Sequence, residues 1–130
     1  MSFDAQDIFA NLAEKERLKG HHSPEGRAIR TLSRALNGWS SENLSAGDVV
    51  VLCDQAIEDW LKSIMKVSEW STRNLNRLLL MAVERQLLTA VEAGQLRQVH
   101  EMRSRPTVAT GVDAERALQC SIQIVEERWE

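Results

Sequence analysis

From Val49 to Met65 the apolar residues recur at alternating intervals of three and one: Val49, Leu52, Cys53, Ala56, Ile57, Trp60, Leu61, Ile64 and Met65. That spacing gathers them on one stripe of an α-helix and on no single face of a strand, so the fold has to bury one side of a long helix. Ser45 marks its start, with Asp48 three residues on completing a capping box in which Asp stands in for Glu. A helix with so continuous a stripe needs other helices to cover it.

The remainder of the chain supplies them. Ile8, Phe9, Leu12 and Ala13 line one side of a short helix from about Asp4 to Leu18, backed by Glu14, Lys15, Glu16 and Arg17. Ser23 and Pro24 suit the cap and first position of a second helix carrying Ala28, Ile29, Leu32, Ala35 and Leu36, which Asn37-Gly38 is expected to end. Ser71 or Thr72 is expected to cap a fourth helix that runs through Leu75, Leu78, Leu79, Ala82, Val83 and Leu87 to about Ala93, with Gly94 as a left-handed stop. A shorter helix from about Gln95 to Arg103 precedes the turn that Pro106 enforces. Asp113 is expected to cap the last helix, with Ala114, Ala117, Leu118, Ser121, Ile122, Val125 and Trp129 on one side. The reading is all-α: a single domain over residues 1–130, an up-and-down bundle of five to six helices, with an N-terminal helix pair (1–43) on a core (44–130).

Composition narrows the functional classes. With 130 residues, 43% hydrophobic and 27% charged, the chain has the globular mixture. Sixteen basic against 19 acidic residues leave a net charge of −3, which offers no chain-wide attraction to RNA, a nucleotide or an anionic membrane; such a ligand would need a local basic site. No apolar run approaches the ~20 residues that cross a bilayer. Cys53 and Cys120 fall within apolar helical patterns with no signal-peptide pattern ahead of them, so free thiols in a reducing, cytoplasmic setting are expected. Phosphate-binding glycine loops, nucleophile elbows and paired CxxC motifs are absent, and neither a metal nor a cofactor is implied.

Few residue groups invite chemistry. His21-His22 are adjacent and lack a nearby carboxylate or thiol at ligand spacing, so they are read as loop residues. Asp54, Glu58 and Asp59 are read as a solvated acidic face, and Cys53 as a packed, inert thiol. Trp39, Trp60, Trp70 and Trp129 are large anchors, of which Trp60 and Trp70 are candidates for a groove or subunit interface. His100, Arg103 and Arg105 crowd a polar helix end before Pro106. The two arginines suit either the free carbonyls of that helix end or bidentate contact with a phosphate.

From about Leu44 onward, over about two thirds of the chain, the sequence resembles the HEPN superfamily of small helical bundles. The segment Leu52-Cys53-Asp54-Gln55-Ala56-Ile57-Glu58-Asp59-Trp60-Leu61-Lys62 looks like its first core helix. The break at Val91-Glu92-Ala93-Gly94-Gln95-Leu96, the segment from Met102 to Val112 and the closing helix from Asp113 to Trp129 follow in the family's order. Active members of that family carry an Arg followed, four to six residues later, by a His, and cleave RNA without metal as dimers. Arg103 matches the Arg; the His would fall on Val108, Ala109 or Thr110, and His100 stands on the other side of Arg103. The resemblance therefore implies a non-catalytic binding or regulatory module that forms homodimers or takes a protein or nucleotide-like partner, with Arg103, Arg105, Trp60 and Trp70 as its ligand or interface residues. The alternatives it leaves are a metal-independent ribonuclease using Arg103 with His100, and a plain helical scaffold.

Overall fold

A computed structural model describes residues 5–19, 23–66, 74–105 and 108–127. Six helices run through them: α1 (Ala5–Lys19), α2 (Pro24–Ser40), α3 (Ala46–Ile64), α4 (Leu75–Glu84), α5 (Ala90–Ser104) and α6 (Gly111–Glu127), with no strand among the described residues. The chain is an all-α bundle.

Every consecutive pair of helices is in contact, and α3 also packs against α5 and α6, and α2 against α6. The long apolar stripe of α3 lies at the centre of this arrangement, where Val49, Cys53, Ala56, Ile57, Trp60 and Leu61 are all buried. One continuous core extends from Leu12 of α1 through Ile29, Leu32 and Leu36 of α2 to Leu118 and Val125 of α6. The N-terminal helix pair thus packs on the same core as the remainder of the chain.

Helix ends depart from the sequence expectations at four places, each with a local cause. Asn37-Gly38 does not end α2, which continues to Ser40. Gly38 is there for space: a β-carbon on it would collide with the Leu44 side chain as the chain folds back after the helix. The turn comes four residues later, where Glu42 takes a left-handed φ of 61° and Asn43 N–H donates to Gly38 O at 2.8 Å.

Asn74 caps α4 by accepting from Arg77 N–H at 2.9 Å, in place of Ser71 or Thr72, which lie outside the described residues. That helix does not run on to Ala93. It stops at Glu84, Gln86 adopts φ 61°, and Leu87 N–H returns to Ala82 O at 2.9 Å. Thr89 then starts α5 with a capping box, accepting from Glu92 N–H at 3.1 Å while Glu92 Oε1 accepts from Thr89 N–H at 2.8 Å. Gly94 consequently lies inside α5, without a stop role.

Thr110, not Asp113, occupies the cap of α6. Its hydroxyl accepts from Asp113 N–H at 3.2 Å, and Asp113 Oδ2 accepts from Thr110 N–H at 2.9 Å. The Ser45 cap of α3 stands as expected, accepting from Asp48 N–H at 3.1 Å.

Candidate functional site

Where α5 crosses α3, three of the chain's ionisable side chains meet. Asp54 lies on α3 four residues after Val50 and three before Ile57, both buried, so the helical phase that buries these carries the carboxylate inward with them. His100 and Arg103 are three residues apart on α5 and therefore share a face. They flank the buried stripe of Leu96, Val99 and Met102 that holds α5 on the bundle.

Asp54 binds both. Its Oδ1 lies 3.0 Å from His100 Nδ1, and its Oδ2 accepts from Arg103 Nη1 at 2.9 Å. The Asp54 side chain is 5% exposed, His100 29% and Arg103 41%. The carboxylate is thus interior, while the two groups it grips reach toward solvent. Among the described residues no side chain bonds His100 Nε2 or the remaining guanidinium nitrogens of Arg103. A guanidinium has five N–H donors in a rigid fork, so one bond to Asp54 leaves an edge able to take an oxyanion bidentately.

This geometry corrects the reading of Asp54, Glu58 and Asp59 as one wet acidic face. Asp54 is buried and paired with α5. Glu58 sits 3.8 Å from Lys62 on its own helix, and Asp59 is half-buried, its carboxyl pushed up by burial against the opposing pull of Arg27. Nearby, Ser63 Oγ donates to Glu25 Oε1 at 2.9 Å and joins the end of α3 to the start of α2.

The other candidates separate from this cluster. Arg105 bonds Asp113 Oδ2 at 2.9 Å and ties the end of α5 to the start of α6. Asp113 is held below the usual carboxylate range, first by Thr110 N–H and then by Arg105. Trp60 is 1% exposed and belongs to the core, so it lines neither a groove nor an interface. Trp70, Trp129, His21 and His22 lie outside the described residues. Trp39 is half-buried and packs at the start of α6, where a β-carbon on Gly111 would lie 3.6 Å from its ring.

Cys53 is buried, and burial pushes its thiol up to about 12, consistent with a packed and unreactive sulfur. Cys120 is half-buried and also raised by burial. Among the described residues no three His, Cys, Asp or Glu side chains converge as metal ligands, and no helix is long and apolar enough to cross a membrane. Comparison with models of known families, with curated proteins and with solved structures finds no match.

Sequence reasoning picked out His100 and Arg103 but not the group that joins them. The signal was present in the series Val50, Asp54, Ile57, Leu61, in which an acidic residue occupies a core phase of the most regular helix in the chain. A carboxylate there requires a cation from another helix, because an unpaired buried charge is costly.

Proposed function

We propose that this chain is a non-catalytic, HEPN-like helical bundle that binds a phosphate-bearing ligand through Arg103 and His100. The observation that carries the reading is Asp54 gripping one nitrogen of each at 2.9–3.0 Å and leaving their outer nitrogens without partners among the described residues. Pre-orientation of this kind lowers the entropy lost when a ligand is bound, and the guanidinium edge matches phosphate geometry. With a net charge of −3 over the chain and Arg103 balanced by Asp54, the cluster offers directed hydrogen bonds rather than a net positive field.

The non-catalytic part rests on residue identity. Where the family's His would stand, Val108, Ala109 and Thr110 offer no group that exchanges a proton near neutral pH. Self-association belongs to the same proposal, with Leu80, Val91, Val108 and Val112 as its exposed apolar side chains in place of Trp60.

A second reading, a metal-independent ribonuclease, is favoured by one observation: His100 is held by a carboxylate, as a proton-transferring imidazole is in hydrolytic sites. Equilibrium dialysis of inorganic phosphate against the wild type and Arg103→Ala, with sedimentation to record the mass, tests the first reading. Binding lost in the variant supports it, and equal binding contradicts it. Incubation of mixed-sequence RNA with EDTA tests the second, since cleavage that disappears in Arg103→Ala makes the protein an enzyme.

A further inference from the structure

Asp54 does more than hold two cations in place. As a carboxylate it only accepts hydrogen bonds, so the ring nitrogen of His100 that faces it at 3.0 Å must carry the hydrogen. A neutral imidazole has one N–H, and assigning it to Nδ1 leaves Nε2 with a lone pair. The cluster then presents two unlike groups side by side on one face of α5. The outer guanidinium nitrogens of Arg103 donate, and Nε2 of His100 accepts.

We propose that Asp54 is a positioning residue that fixes His100 in the Nδ1–H form, and that the site thereby selects an oxyanion carrying its own hydrogen-bond donor. This rests on the phosphate reading above. Inorganic phosphate keeps at least one P–OH throughout the neutral and mildly alkaline range and satisfies both groups at once. Sulfate, of the same shape, carries no hydrogen there and sets an oxygen lone pair against the lone pair of Nε2.

The same logic fixes what an isosteric change does. In Asp54→Asn the amide has one oxygen and one NH2. Arg103 is donor-only and claims the oxygen, so the NH2 turns to His100 and donates to Nδ1. The imidazole hydrogen moves to Nε2, and the site becomes a pair of donors that accommodates phosphate and sulfate alike.

Two measurements on the folded protein decide this. Two-bond 1H–15N spectra of the imidazoles, in a background with His21→Gln and His22→Gln so that one of the three histidines remains, report the tautomer at about pH 8.5, roughly two units above an ordinary imidazole pKa. The expected result is Nδ1–H in wild-type Asp54 and Nε2–H in Asp54→Asn. Nε2–H, a mixture or an imidazolium with Asp54 present overturns the assignment, and the wild-type spectrum suffices if the variant loses helicity. Titration with inorganic phosphate and with sulfate is then expected to show about a tenfold preference for phosphate, the size of one unmet hydrogen bond, falling to within about threefold in Asp54→Asn. Equal affinities in the wild type overturn the selectivity. Failure of both anions to bind removes the phosphate reading together with the selectivity, while the tautomer result separately decides the role of Asp54.

Discussion

Leu44 occupies the space that a side chain on Gly38 would need, its Cγ and Cδ1 lying where a β-carbon at position 38 would collide. Gly38 is inside α2 and buried, so an alanine there gains the usual helix propensity of about 1 kcal/mol and loses more to overpacking. Gly38→Ala is expected to destabilise the protein by about 1 to 2 kcal/mol in urea titration. Adding Leu44→Ala should relieve part of that loss, giving a coupling of at least about 0.5 kcal/mol in a double-mutant cycle. Strict additivity would contradict the close approach.

At Gln86 the backbone needs a conformation that favours glycine. Its φ of 61° closes the end of α4, and a non-glycine residue in that region costs about 1 kcal/mol. Gln86→Gly is therefore expected to raise the urea midpoint, with a gain of a few tenths to about 1 kcal/mol. The α4–α5 turn is also where the sequence was hardest to read. Val83, Leu87, Ala90 and Val91 continue an apolar spacing across the break, and the left-handed residue is not the expected glycine. The one local signal was Thr89 with Glu92 three residues on, a capping box that restarts the helix.

Arg103 and Arg105 are alike in exposure and unlike in partner. Arg103 bonds a buried carboxylate and Arg105 a partly exposed one at the end of a helix, at the same 2.9 Å. Removing Arg103 leaves Asp54 to His100 alone, so Arg103→Ala is expected to cost about 1.5 to 3 kcal/mol. Arg105→Ala should cost no more than about 1 kcal/mol. Chemical denaturation of the two variants checks the ranking, and a reversed order would remove the structural weight placed on Asp54.

Alkali should act through Cys53. Its thiol is pushed from 9.0 to about 12 in the folded chain, so above pH 9 the unfolded thiol ionises while the folded one stays protonated. The folded state then binds more protons than the unfolded state, and stability falls as pH rises, by up to about 1.4 kcal/mol per unit between 9 and 12. Tyr is absent, so no phenolate obscures the trend. Cys53→Ala is expected to flatten this slope in stability curves taken from pH 8 to 11. An unchanged slope would contradict the burial of the thiol.

The bundle was legible because α3, α2 and α6 each repeat their apolar residues with helical period, and burial follows that period from Val49 to Leu61. The site was half legible. His100 and Arg103 stand together in the sequence and could be singled out. Asp54 is 46 residues from His100, and only the packing of α5 on α3 brings it there. Trp60 misled for a related reason: its size fits an interface as well as a core, and its place on the central helix decides for the core.

The most direct test of the phosphate site is a titration of the 15N-labelled protein with inorganic phosphate, followed amide by amide. Saturable shifts centred on Asp54, His100 and Arg103 are expected, and they are expected to be lost in Arg103→Ala. Shifts absent from those residues, or unaltered by that substitution, would contradict it.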